Sequence, residues 1–223
     1  SLMSSASGAA LKVLDMRTNQ VGAEGACAML GALEHHTHMK EMRVGYNRGH
    51  NREGELDLAT ANQACKLLQK ALARGAGSTL RTLDLNNVRI GDQGMARIAL
   101  SLGEDSLLRQ LFLAFNAIGP DGMQAIANAL LANYALEELD LRDNEAGDEG
   151  AVALAGALRK NFALKKLHVA RNEIGDAGAK AFHELQKVSP KIVVDWGASG
   201  STMNHMRGMG RLQCMTSNKV LFV

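Results

Sequence analysis

Apolar residues occupy the first, fourth and sixth positions of a segment that recurs along the chain with little change. The six copies place Leu11, Leu14 and Met16; Met39, Met42 and Val44; Leu80, Leu83 and Leu85; Leu108, Leu111 and Leu113; Leu136, Leu139 and Leu141; and Leu164, Leu167 and Val169 there. Leu80, Leu108, Leu136 and Leu164 start 28 residues apart, as do Leu11 and Met39. Alternation around positions 4 and 6 predicts a short strand with one face buried. Position 9 holds Asn19, Asn47, Asn116, Asn144 and Asn172, with Val88 in the third copy. A side-chain amide there can bond backbone groups of a turn. Stacked copies therefore predict an asparagine ladder with a missing rung at Val88.

A turn of the form Gly-x-x-Gly follows in five copies, at Gly22, Gly91, Gly119, Gly147 and Gly175. The first glycine permits backbone angles that a side chain forbids, and Asp92, Asp121, Asp148 and Asp176 are expected to be helix N-caps. Alanine-rich stretches such as 151–158, with Leu154 and Leu158 at helical spacing, predict a helix in each unit. A strand-turn-helix unit at a fixed period predicts a solenoid, in which each repeat packs mainly on its neighbours.

Over residues 11–196 the units resemble leucine-rich repeats of the ribonuclease-inhibitor-like subfamily. The strand motif and the Gly-x-x-Gly turn together carry that resemblance. It implies an α/β leucine-rich-repeat solenoid of horseshoe shape, with parallel strands on the concave side and helices on the convex side. Ribonuclease inhibitor, Ran GTPase-activating protein, tropomodulin-like capping proteins and the sensor arms of NOD-like receptors share this architecture. It fixes fold far better than function. No member's functional residues transfer onto this chain.

Two departures break the period. The second unit runs 41 residues, from Met39 to Leu80, and the extra residues fall at 48–60, with Arg48, His50, Arg52, Glu53, Glu55 and Asp57 among them. An insertion in a solenoid maps to a loop on one face, either a binding face or a tolerated solvated loop. After a last strand around 191–196 the period stops, and residues 197–223 contain no Asp or Glu, four methionines and an apolar end. Two readings stand for this segment: a cap on the open end of the core, or a tail docked on another chain. Residues 1–10 read as the end of a preceding unit or an N-terminal cap.

Composition narrows the function classes. A net charge of +2 is too mild to announce nucleic acid or an anionic membrane. No apolar run approaches the roughly 20 residues of a membrane span. Cys27, Cys65 and Cys214 are odd in number, widely spread and without a Cys-x-x-Cys pair, as expected of buried or free thiols in a reducing, cytoplasmic setting. His35, His36 and His38 stand close together, but no fourth ligand is evident for a structural zinc. No phosphate-loop or nucleophile-elbow pattern occurs, and a solenoid spreads its polar groups over an open surface. Neither a catalytic centre, a metal nor a cofactor is expected.

The strand positions that point away from the core supply the candidate site. Asp15, Arg17, Arg43, Tyr46, Asp84, Phe112, Phe115, Glu138, Asp140, Arg142, Lys166, His168 and Arg171 are assigned to the concave face as partner-binding residues. Their signs are balanced, so nucleic acid finds no continuous basic track, whereas mixed charge suits oriented protein contacts. Phe112 is the foremost anchor candidate, and Phe115 either joins it or tucks into the turn. The reading is a non-enzymatic interaction module for a protein partner. Two alternatives stand beside it: a GTPase-activating type of regulator, and a structural subunit docked by the C-terminal tail. Oligomeric state and partner identity do not follow from the sequence.

Overall fold

The computed structural model describes residues 11–19, 38–46, 79–102 and 107–197. The expectations for residues 1–10, the 48–60 insertion, His35, His36, the three cysteines and the segment after Gly197 lie outside these. Seven three-residue strands form one parallel sheet in sequence order: β1 Val13–Asp15, β2 Glu41–Arg43, β3 Thr82–Asp84, β4 Gln110–Phe112, β5 Glu138–Asp140, β6 Lys166–His168 and β7 Val193–Asp195. Four helices are described, α1 Gly91–Ser101, α2 Pro120–Leu130, α3 Gly147–Leu158 and α4 Asp176–Val188, each packed on the next. The register aligns Leu14, Met42, Leu83, Leu111, Leu139, Leu167 and Val194 in one row. This is the expected α/β solenoid.

The core lies between the sheet and the helices. Met42, Leu83, Leu111, Leu139 and Leu167 are wholly buried there, facing Ile98, Ile126, Leu154 and Phe182 of the helices. Each such side chain contributes about 1.5–3 kcal/mol relative to exposure. In α2, Met123, Ile126, Ala127 and Leu130 repeat at helical spacing, and the alanines let neighbouring helices approach. Phe182 takes the place of an aliphatic residue in the last unit and stacks on Trp196, with ring centroids 5.9 Å apart. The pair helps to close the C-terminal end of the core.

The asparagine ladder forms over Asn116, Asn144 and Asn172, while Asn47 lies outside the described residues. Asn144 Oδ1 accepts the N–H groups of Asn116 (3.0 Å) and Ile118 (3.1 Å), while its Nδ2 donates to the carbonyls of Leu113 and Leu141. Asn116 and Asn172 do the same one unit to either side. Val88 has no amide to offer and packs against the core instead.

The four aspartates are not N-caps of their own helices. Those caps are Ile90, Gly119, Ala146 and Gly175, none with a side-chain cap bond. Asp92 instead reaches the next unit, where its Oδ1 accepts the N–H groups of Gly119 (2.7 Å) and Gly122 (2.9 Å). Asp148 repeats this on Gly175 and Gly178, both at 2.8 Å. Pro120 occupies the equivalent place in the fourth unit, so α3 receives no such carboxylate. The turn geometry follows this supply. Gly119 and Gly175 are extended where the carboxylate binds them, whereas Gly147, without one, is left-handed at φ 57°.

Candidate protein-binding face

Strands β1 to β6 end in the same backbone manoeuvre. The residue at position 8 is left-handed in all six units: Thr18, Tyr46, Asn87, Phe115, Asp143 and Arg171 have φ between 54° and 60°. For residues with side chains this conformation costs on the order of 1–3 kcal/mol, sustained here by the surrounding ladder. The chain thereby turns away from the sheet, and position 8 stands at the edge of the strand face. Phe115 is 44 % exposed and Tyr46 39 % exposed. Their rings meet edge to face with centroids 6.2 Å apart, across the intervening Asn87. Phe115 therefore does not tuck into the turn. Phe112 lies half-buried in β4, in register with Asp84 on one side and Asp140 on the other.

The acids at position 5 serve the backbone first. Asp15, Asp84, Asp140 and Asp195 each accept, at Oδ1, the N–H two residues on: Arg17 (3.2 Å), Asn86 (3.0 Å), Arg142 (3.0 Å) and Gly197 (3.3 Å). Arg17 and Arg142 then fold onto their own aspartates with two further bonds, Nε to Oδ1 (3.0 and 2.9 Å) and Nη2 to Oδ2 (2.7 and 2.6 Å). The Arg17 guanidinium holds the Asp15 carboxyl at about 2. Burial pushes Asp84 the other way, opposed by the Asn86 N–H and by Arg17 and Arg43.

Two of the expected surface acids are thus corrected. Asp84 is 4 % exposed and Asp140 only 1 %. They close strand ends and anchor arginines, and present no free carboxylate. What the face offers is Arg142, whose side chain is 44 % exposed above its buried partner. Gly45 makes room for the analogous arrangement in the first units. A Cβ there would lie 2.5 Å from Asp84 Oδ1, and without it Arg17 Nη1 comes to 3.8 Å of Asp84 Oδ2.

Position 3 carries a polar chain that sequence reading only half identified. Thr82 Oγ1 donates to Gln110 Oε1 (2.9 Å), and Gln110 Nε2 donates to Glu138 Oε2 (2.8 Å). Glu138 continues to His168 at 3.5 Å and to Lys166 at 4.0 Å. Arg171 grips Asp143 with Nε and Nη2, both at 2.5 Å. The 28-residue spacing of Thr82, Gln110 and Glu138 was the available signal for this chain.

The structure therefore sorts the expected residues into three groups. Tyr46, Phe112, Phe115, Asp84, Asp140 and Arg142 gather at the centre. Burial and the carboxylates of Asp84 and Asp140 push the Tyr46 hydroxyl up, in keeping with a ring lying over that centre. Asp15, Arg17 and Arg43 form a cluster at the β1 end, where Arg43 bonds Glu41 at 3.0 Å. Glu138, Lys166 and His168 form another toward β7, with Arg171 paired to Asp143 beside it. Among the described residues no group of three His, Cys, Asp or Glu side chains is placed to hold a metal. No helix among the described residues is long and apolar enough to cross a membrane.

A leucine-rich-repeat family model matches residues 10–30, 78–99, 105–127, 135–155 and 160–182. The chain is a leucine-rich-repeat protein. Among solved structures, this leucine-rich-repeat chain is similar to leiomodin-1 actin-binding site 2, with a TM-score of 0.54 and 20 % identity, over 82 % of this chain and 91 % of that one. It is also similar to the C-terminal domain of Caenorhabditis elegans tropomodulin, with a TM-score of 0.52 and 16 % identity, over 85 % of this chain and 99 % of that one. At these identities the likeness is one of fold. No curated protein matches in sequence.

Proposed function

We propose that this leucine-rich-repeat protein is a non-enzymatic interaction module that binds a protein partner through its concave face. The observation that carries the reading is the exposed Tyr46–Phe115 pair beside half-buried Phe112 and the pinned guanidinium of Arg142. Aromatic residues and arginine are the usual anchors at interface centres. These are held in place before any partner arrives: the aromatics by packing and a fixed turn, Arg142 by its bidentate bond to Asp140. Ion pairs on either side of the centre suit orientation more than affinity. The ribonuclease-inhibitor-like subfamily is supported by the 28-residue period and by a helix in each complete described unit. The cysteine pattern favours a cytoplasmic setting.

Actin is the first partner to test. Its support is the fold shared with leiomodin-1 actin-binding site 2 over nearly the whole of that domain. Titration of labelled monomeric actin with the chain should give saturable binding. Phe115→Ala and Arg142→Ala should each weaken it by about 2 kcal/mol, or roughly 30-fold. Absence of actin binding rejects that partner and leaves the face. If capture of the native partner is unchanged in Phe112→Ala, Phe115→Ala and Arg142→Ala together, the assignment of the face is wrong.

A further inference from the structure

Position 2 of the repeat carries charge of nearly one sign. It reads Lys12, Lys40, Arg81, Arg109, Glu137 and Lys165. Backbone hydrogen bonds tie these residues into a row. The N–H of Lys40 donates to Lys12, Arg81 to Lys40 (both 2.7 Å), Arg109 to Arg81, Glu137 to Arg109 and Lys165 to Glu137 (each 2.8 Å). With strands about 4.8 Å apart, the row runs about 24 Å along the rim where the strands begin. Glu137 is held by Arg109 and by Lys165 (2.5 Å). Among the described residues, Lys12, Lys40 and Arg81 have no carboxylate partner. Like charges opposite one another destabilise a sheet, so Lys12, Lys40 and Arg81 are a cost to the fold that no described acid offsets.

Two rings stand on the same rim. Tyr134 is 71 % exposed and Phe162 86 % exposed, 28 residues apart and three residues ahead of Glu137 and Lys165. A second asparagine ladder fixes the backbone beside them. Buried Asn161 donates to the carbonyls of Leu130 (2.6 Å) and Asn133 (2.8 Å) and accepts from Ala163 and Leu164. Asn133 makes the equivalent bonds to Leu102, Ala135 and Leu136. The opposite rim, where helices begin, carries Asp121, Glu145, Glu149, Glu173 and Asp176, all exposed. Among the described residues this rim is mainly acidic, with exposed Arg89 the exception.

We propose that the strand-entry rim is a second docking surface, separate from the concave face, for an acidic polypeptide segment that also carries apolar side chains. Carboxylates of an extended segment lie along Lys12, Lys40, Arg81 and Arg109, and its apolar residues lie on Tyr134 and Phe162. A polypeptide can place an uncharged residue opposite Glu137. A phosphate backbone, charged at every step, cannot, so the row disfavours nucleic acid. Exposed aromatics on a fixed backbone add contact at little backbone-ordering cost.

The test is fluorescence anisotropy with a labelled Glu-rich peptide of about 12 residues, long enough to span the row, carrying a Leu-Leu pair near one end. Oligo-dT of equal charge serves as comparator. The peptide should bind more tightly than the oligonucleotide and weaken as salt rises. Lys12→Glu, Lys40→Glu and Arg81→Glu together should reduce affinity about tenfold or more. Tyr134→Ser with Phe162→Ser should reduce it several-fold, while Arg142→Ala leaves it unchanged, which separates this surface from the concave one. Should the charge-reversed chain not fold by circular dichroism, Lys40→Gln with Arg81→Gln should show a smaller loss, about threefold. No peptide binding by the wild-type chain, unchanged affinity in folded charge variants, or equal binding of oligo-dT would overturn the proposal.

Discussion

Asp148 stands in the first turn of α3, yet its structural role lies in α4. Replacing it with alanine removes the one oxygen that accepts both the Gly175 and Gly178 N–H groups at 2.8 Å. Loss of a helix cap costs about 0.5–2 kcal/mol, and a charged acceptor at a helix N-terminus belongs in the upper part of that range. Gly175 is exposed, so water takes over its N–H, whereas Gly178 is buried and its N–H stays poorly satisfied. We expect a loss of about 1.5–2 kcal/mol. With a urea m-value of about 2 kcal/mol/M, the unfolding midpoint should fall by about 0.7–1 M, read by far-UV circular dichroism. Asp148→Asn, which keeps an acceptor oxygen, should lose about half as much. Asp176→Ala is the internal control. It occupies the same place in the motif, but among the described residues only β7 follows it and no helix N-terminus receives its carboxylate, so its cost should stay under about 0.5 kcal/mol. Equal midpoints for Asp148→Ala and Asp176→Ala would refute the idea that the carboxylate acts across the repeat boundary.

Other perturbations test other parts of the fold. Asn144→Ala strips a buried side chain of five backbone partners and should cost about 3–5 kcal/mol in the same urea assay. Gly45→Ala drives a Cβ to 2.5 Å from Asp84 Oδ1 and should cost about 1–3 kcal/mol; no change would show that Arg17 and Asp84 can move apart freely. Asp15 and Asp84 should give opposite pH signatures. Asp15 titrates at about 2 when folded, below its ordinary 3.8, so its stability contribution is present above pH 4 and is lost as pH falls toward 2. Arg17→Gln should flatten that limb in urea melts. Asp84 is raised on folding, so it favours the folded state below its ordinary 3.8, and that contribution is lost as pH rises through its folded value. Asp84→Asn should remove this loss, and unchanged pH dependence would place the carboxylate in water.

Much of the fold can be read from the spacing alone. The row from Leu14 through Met42, Leu83, Leu111, Leu139 and Leu167 faces inward, and the ladder of Asn116, Asn144 and Asn172 stands where the ninth position put it. The failures lie in what a repeat pattern does not encode. Periodicity tells where a residue sits in its own unit, but not which unit its side chain reaches. Asp92 and Asp148 therefore read as caps of their own helices, although their carboxylates lie against the next. Alternation likewise gives the side of the sheet and not the depth, so Asp84 and Asp140 were placed on an open surface that their own backbone closes. The basic row at position 2 precedes each strand and so lies outside the alternation that marks the outward face. Thr82 is short and uncharged, and its role shows only beside Gln110.

The central claim, binding through the strand face, is tested most directly by photocrosslinking. A benzophenone amino acid is placed at Phe115, on the strand face, or at Val152, on the exposed side of α3. Each chain is then irradiated with its native partner. An adduct at Phe115, absent at Val152 and suppressed by Arg142→Ala, is the expected result. Adducts formed at Val152 and not at Phe115 would contradict it and move the interface to the helices.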